Sequence, residues 1–208
     1  MDTNSNEIVS LTYNQTITKR TFDLIFSFIG ILFLWWIILL AWIVASLNTK
    51  SNGFFFQKRV GMNGYHFEVV KIKTMKQSYT YKSNITLISD PRITKFGHFL
   101  RRTKIDELPQ LFNILLGHMS FVGPRPDVPG YADKLEGKNR VILSMRPGIT
   151  GPASLKYRNE EKLLNKKNNP EMYNDQVIWP DKVRINIEYI KCWSLKKDVL
   201  YILKTVFK

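Results

Sequence analysis

Between Leu24 and Leu47 the chain runs for 24 residues without a single charge. As a helix, such a run is roughly 36 Å long, against a bilayer hydrocarbon core of about 30 Å. Its unbroken apolarity leaves no face for water, which argues against a helix on the surface of a soluble bundle. The run is also too long for a signal-peptide core, and no small-residue cleavage site follows it. The pattern predicts a retained membrane-anchor helix over residues 19–49. A polar, Asn- and Thr-rich lead (residues 1–18) precedes it, and a domain over residues 50–208 follows. Trp35, Trp36 and Trp42 lie inside the run, whereas spanning helices usually keep Trp near their ends. Lys19 and Arg20 flank one end and Lys50, Lys58 and Arg59 the other, so the positive-inside rule draws both ends to the cytoplasmic side. A re-entrant helix satisfies that pull but needs a break. No proline lies between Arg20 and Lys50, which leaves Ser27 and Gly30 as the only candidates. On sequence, re-entrant and spanning topologies both stay open.

Charge narrows the partner. The formal net charge is +14, and the segment from Lys50 to Lys104 holds twelve Lys/Arg against two acids, Glu68 and Asp90. An excess of this kind points to an anionic partner: nucleotide, lipid phosphate, membrane surface or nucleic acid. The lone Cys192 excludes an internal disulfide framework, and it shows no metal-ligand spacing with His66, His98 or His118.

After the anchor, apolar alternation on either side of Asn63-Gly64 predicts a β-hairpin. Lys71 and Lys73 sit at period two on its second strand and so share a face, either solvated or anion-binding. Residues 77–89 read as polar loop. Residues 94–104 read as a basic amphipathic helix suited to lie on an anionic membrane surface, or simply as a solvated helix with one apolar face. The last element, residues 183–207, predicts two helices broken near Ser194, the second resting on the bilayer. The fold class is therefore mainly α with a small β-hairpin (α+β), anchored by one long N-terminal helix and by interfacial amphipathic helices.

The chemistry concentrates between Asp90 and Pro126. Asp106 and Glu107 stand between a cationic approach (Lys95, Arg101, Arg102, Lys104) and the basic turn Pro124-Arg125-Pro126. Leu108, Leu111, Phe112 and Leu115 recur at helical spacing, and Pro109 fits only a first turn, so Asp106 falls at or beside an N-cap. There the helix dipole and free N–H groups favour a carboxylate. An aspartate held ionised among cations suits a nucleophile that attacks an anionic phosphorus centre, because the cations offset anion–anion repulsion. Taken alone, the same Asp-Glu pair is also ordinary helix-start chemistry.

Seven stretches stand in one order: Gln57-Lys58-Arg59-x-Gly61-x-x-Gly64; Lys71 to Met75; Asp90 to Thr94; Asp106 to Leu111; Met119 to Pro126; Arg146 to Gly151; and Ser194 with Asp198. Together they resemble the bacterial sugar transferase family, the monotopic phosphoglycosyl transferases, in a small form holding only the catalytic domain. The likeness runs from about Lys19 to Thr205. It implies transfer of a sugar-1-phosphate from a UDP-sugar donor to a polyprenyl phosphate acceptor. The bacterial cytoplasmic membrane would be the setting, with the catalytic domain on the cytoplasmic face, UMP leaving and Mg²⁺ assisting. It implies a ping-pong route through an aspartyl phosphosugar. Asp106 would be the nucleophile and a metal ligand, and Glu107 its partner. Lys71, Arg101, Arg125 and Asp198 match active-site, substrate-binding positions. Membrane lipids are expected as partners and nucleic acid is not.

Two departures from the family pattern stand out. The proline usual inside the membrane segment is missing, and Pro152-Ala153-Ser154 replaces the usual continuation after Gly151. Two other readings compete. A membrane-anchored polyanion-binding module would use the charge but leave Asp106 and Glu107 idle, and no stacking-aromatic or helix-turn-helix signature supports it. A silent scaffold for later glycosyltransferases sits poorly with intact motif residues.

Overall fold

A computed structural model of the chain describes residues 10–76 and 90–207. The polar loop expected over residues 77–89 and most of the lead lie outside the described residues. One helix dominates: α1, Tyr13–Thr49, starts six residues before the expected anchor. Thr12 closes its N-terminus with a reciprocal capping box to Gln15, which satisfies otherwise orphaned N–H groups. The helix runs unbroken through Ser27 and Gly30 and ends at Lys50 in a left-handed conformation.

Two faces of α1 differ. Lys19, Asp23, Ser27, Ile38, Ala41 and Ala45 are buried. They fall three, four or eleven residues apart (about one turn or three), so they form one stripe along the axis. The opposite face stays apolar and exposed, including Phe33 at 67% and Leu47 at 74%. The buried stripe covers about 39 Å of helix axis. Ala41 and Ala45 allow the close approach that small residues give at helix interfaces.

The rest of the chain lies along that stripe. Strands β1 (Phe54–Val60) and β2 (His66–Ile72) pair antiparallel, Phe54 opposite Ile72 and Val60 opposite His66. Asn63 and Gly64 take positive φ (58° and 85°) in the connecting turn, as that dipeptide does best. Helix α2 (Lys95–Thr103), N-capped by Thr94, carries Leu100 into a cluster with Ile38, Ala41, Ala45 and Ile72. Helix α3 (Gln110–Leu115) buries Leu111 and Ile114 with Val69 and Met119, against Ile31 and Leu34 of α1.

A second small sheet was not anticipated. β3 (Ser120–Val122) and β4 (Gly148–Thr150) pair in parallel, a three-residue pairing too short to leave a period in the sequence. Four short or medium helices follow: α4 (Pro152–Lys156), α5 (Glu160–Leu164), α6 (Pro170–Tyr173) and α7 (Trp179–Lys191). Ser194 then caps α8 (Leu195–Val206), so the break falls where the sequence placed it. The largest apolar cluster joins Val122, Ile142, Met145 and Val183 to Tyr189 and Trp193.

Candidate active site

The site is assembled by three connections converging on Glu107. Lys71 near the end of β2 donates from Nζ to Glu107 Oε1 at 3.0 Å. Arg125, just past β3, donates from Nη2 to the same oxygen at 3.0 Å. Glu107 itself closes the 3₁₀ turn Ile105–Glu107 that precedes α3. The hairpin, the turn and the β3 loop thus each deliver one charged group.

Asn113 holds the first two elements together. Its Oδ1 accepts from Val70 N at 3.0 Å and its Nδ2 donates to Glu68 O at 2.7 Å, so α3 satisfies the open edge of β2. That grip sets Lys71 opposite the turn. Lys73 parts from Lys71 and donates to Ser51 Oγ at 2.9 Å, so the shared face predicted from their spacing is not a shared role.

Asp106 is 9% exposed. Its turn starts from Lys104, whose φ of 61° is left-handed. The expected N-cap is not there: α3 starts at Gln110 behind Pro109, and no side chain caps it. No described residue donates a hydrogen bond to the buried Asp106 Oδ1. Burial, then the neighbouring Glu107 charge, pushes the Asp106 carboxyl up to about 6, with Lys71, Lys104 and Arg101 pulling against them. So Asp106 is not an aspartate pinned ionised by a helix end. It is a carboxylate kept near its protonation point by a dry setting and held back from full protonation by cations. Glu107 behaves oppositely. Burial works against its ionisation, but Arg125, Lys71 and Lys104 outweigh it and hold the carboxyl well below the usual range. Two adjacent carboxyls with separated proton affinities are a standard basis for divided roles.

Arg101 approaches from α2. Its Nε donates to Thr74 Oγ1 at 3.0 Å, which fixes the guanidinium while its charge still favours ionised Asp106. Gly97, one turn earlier, allows α2 to lie this close, because a Cβ there would stand 2.1 Å from Thr74 O.

Asp198 does not join this group. It is buried at the start of α8, where Oδ1 accepts from Tyr189 Oη at 2.6 Å and Oδ2 accepts from Lys19 Nζ and from Trp193 Nε1 at 3.1 Å. Both oxygens are occupied. Two residues near the site are not among the site residues expected from the sequence. Arg59 on β1 donates to Pro126 O at 3.2 Å. Asp127 follows, and burial pushes its carboxyl up to about 6 against the pull of Lys182, Arg59 and Arg125. The run Pro124-Arg125-Pro126 was the available signal for Asp127, since it places an acid two residues from a site cation.

Among the described residues no group of three or more His, Cys, Asp or Glu side chains could hold a metal ion. Mg²⁺ does not need one, because it commonly takes one or two carboxylates together with substrate phosphates. The unpartnered, buried Oδ1 of Asp106 is a ligand of that type. Asp106 is therefore the residue that would hold a Mg²⁺ ion here.

Comparison with known proteins gives the same direction. The chain is 33% identical to an uncharacterized sugar transferase of Haemophilus influenzae over 97% of this chain and 44% of that protein. It is 30% identical to the exopolysaccharide production protein ExoY of Sinorhizobium fredii, over 91% of this chain and 84% of that protein. It is 35% identical to the undecaprenyl-phosphate glucose phosphotransferase of Komagataeibacter xylinus, over 90% of this chain but 35% of that protein. The chain thus spans less than half the length of some relatives and most of the length of others. Residues 14–208 match the model of the bacterial sugar transferases, and the chain belongs to that family.

Proposed function

We propose that the protein transfers a sugar-1-phosphate from a UDP-sugar to a polyprenyl phosphate, with Asp106 as nucleophile. A surface glycan such as an exopolysaccharide would begin at this step. The observation that carries the reading is the Asp106–Glu107 pair. One carboxyl is buried, its Oδ1 unpartnered, under the charges of Lys71, Lys104 and Arg101, and the other is locked by Lys71 and Arg125.

The donor's diphosphate is drawn in by the surrounding cations, which offset its charge more strongly in a dry site than in water. A carboxylate oxygen of Asp106 attacks the phosphorus bearing the sugar. The bond from that phosphorus to the UMP oxygen breaks, and UMP leaves with the electron pair. A polyprenyl phosphate oxygen then attacks the same phosphorus and expels the Asp106 carboxylate, leaving polyprenyl-diphosphate-sugar. Glu107 stays ionised throughout, which keeps Lys71 and Arg125 aimed at the phosphoryl oxygens between the two steps. Asp106 would be the residue to hold Mg²⁺, and the ion would supply charge neutralisation at the phosphoryl oxygens.

The acceptor explains the anchor. The exposed apolar face of α1 and that of α8 (Leu200, Leu203, Val206) carry the domain into the bacterial cytoplasmic membrane. The inner face of α1 lies against the domain along nearly its whole length, which favours a helix sunk beside the domain over one that crosses away from it. The catalytic face is cytoplasmic, where UDP-sugars are made.

UMP release with undecaprenyl phosphate in nanodiscs, run over a panel of UDP-sugars with and without EDTA, tests the reaction. Withholding acceptor should leave label from the donor sugar on the protein, and Asp106→Ala should abolish both signals. Full turnover by Asp106→Ala would remove the nucleophile.

A further inference from the structure

One turn of α1, Lys19 to Asp23, reaches three separate elements of the domain. Lys19 Nζ donates to Asp198 on α8. Arg20 Nη1 and Nη2 donate to Ile114 O at 2.7 Å and Leu115 O at 2.9 Å, the last carbonyls of α3. Ile114 O also accepts from Gly117 N at 2.9 Å, and a cation at these C-terminal carbonyls opposes the negative end of the dipole. Asp23 Oδ1 accepts from Ser120 Oγ at 3.0 Å and Phe121 N at 3.1 Å. Strand β3 pairs with β4 through Ser120 and Val122, so the N–H of Phe121 lies on its open edge, and Asp23 takes the place of a missing strand.

Two of these elements carry the site. α3 follows directly on the turn bearing Asp106 and Glu107. β3 runs through Gly123-Pro124 to Arg125, whose guanidinium meets Glu107. Asp23 and Arg20 are therefore set where the relative placement of the carboxylate half and the Arg125 half of the site is decided. A lipid-facing anchor needs neither group on its inner side. Lys19, Asp23 and Ser27 are 6%, 1% and 0% exposed, and charges buried this deeply persist only where partners hold them.

We propose that Asp23 and Arg20 are positioning residues for phosphoryl transfer. They act through β3 and α3 on the Arg125–Glu107 contact, so that the membrane helix is part of the catalytic framework. The inference rests on Asp106–Glu107 being the reacting pair, as proposed above.

The test uses full-length protein in nanodiscs of phosphatidylglycerol and phosphatidylethanolamine. Asp23→Asn keeps an oxygen acceptor for Phe121 N and should stay within about threefold of the parent in kcat. Asp23→Ala should lose about tenfold or more in kcat with little change in donor KM, since ground-state binding does not depend on the contact. The KM stays near the parent's because Asp23→Ala keeps the Arg125 charge and disturbs only its aim. In an Arg125→Lys background the further loss from Asp23→Ala should shrink to about twofold, because both changes strike one contact. Ser120→Ala removes only the hydroxyl donor and serves if Asp23→Ala does not fold; a smaller kcat loss at unchanged KM is expected. A Tm drop with unchanged kcat per folded enzyme, or fully additive losses with Arg125→Lys, would overturn the proposal by reducing Asp23 to a structural role. Activity in Asp106→Ala, measured alongside, would instead strike the function itself.

Discussion

Lys71 reaches Glu107 at 3.0 Å from a strand to a turn 36 positions later. Both side chains are largely enclosed, at 20% and 12% exposure, so the contact is neither loose nor solvent-screened. Lys71→Met should leave Glu107 short of one cation in a dry setting. Turnover should fall about 10²-fold or more, the scale of losing one oriented donor to a developing charge. Lys71→Arg should recover part of it. Arg125→Met, whose side chain is half exposed, should cost comparable turnover but less thermal stability. Steady-state UMP release and thermal unfolding of the same preparations check both.

The Asp106 carboxyl, pushed up to about 6 from an ordinary 3.8, gives a pH dependence with two signs. In the proposed reaction the attacking form is the carboxylate, so transfer to the protein should fall tenfold per unit as pH drops below 6. Stability runs the other way. The fold holds the Asp106 proton more tightly than the unfolded chain does, so stability is lost as pH rises from 4 to 6. At neutral pH the ionised group costs up to about 3 kcal/mol, on 1.36 kcal/mol per unit. Asp106→Asn should accordingly melt higher than the parent at pH 7.5 while being inactive. Single-turnover labelling from pH 5 to 8 and paired melts check it. A flat rate down to pH 5 would contradict the assignment.

Asn113→Ala should strip partners from Val70 N and Glu68 O in one step. Two partly buried backbone groups left without these bonds cost about 1–3 kcal/mol. Because β2 carries Lys71, kcat per folded molecule should drop as well. Denaturant melts and kinetics on the folded fraction separate the two effects.

Gly97→Ala would set a Cβ 2.1 Å from the Thr74 carbonyl oxygen, and backbone cannot step aside as a side chain can. The helix must move off, taking Arg101 from Thr74 Oγ1. A loss of about 2–3 kcal/mol is expected, at the upper end for overpacking. Activity should fall with it, while Phe99→Ala on the exposed side of the same helix should do little to either.

How much could be read beforehand follows the length scale of each signal. The long apolar helix, the Asn63-Gly64 hairpin, a helix within residues 94–104 and the break at Ser194 all leave periodic or turn chemistry in the sequence, and all are present. The β3–β4 pairing does not, because three-residue strands joined across 25 residues have no local period. Asp106 was placed on a helix end because Pro109 and the leucine spacing imply one continuous helix. A 3₁₀ turn intervenes instead, and it leaves the carboxyl buried under the neighbouring cations' charge without a cap. Asp198 shows the other limit. Motif order suggests a site residue, but only three-dimensional packing reveals that Lys19, Tyr189 and Trp193 consume both its oxygens.

Ala41 and Ala45 carry a wider consequence. At those points the catalytic body borrows its interior from a rod whose other side is greasy, so neither half is a portable module. Gene fusion can append further length to this unit. Exchanging its anchor for a foreign one would require the newcomer to reproduce an alanine-lined contact and a buried Lys-Arg-Asp turn in register. Solubilisation by truncation meets the same obstacle, because cutting away the rod uncovers Ile72 and Leu100.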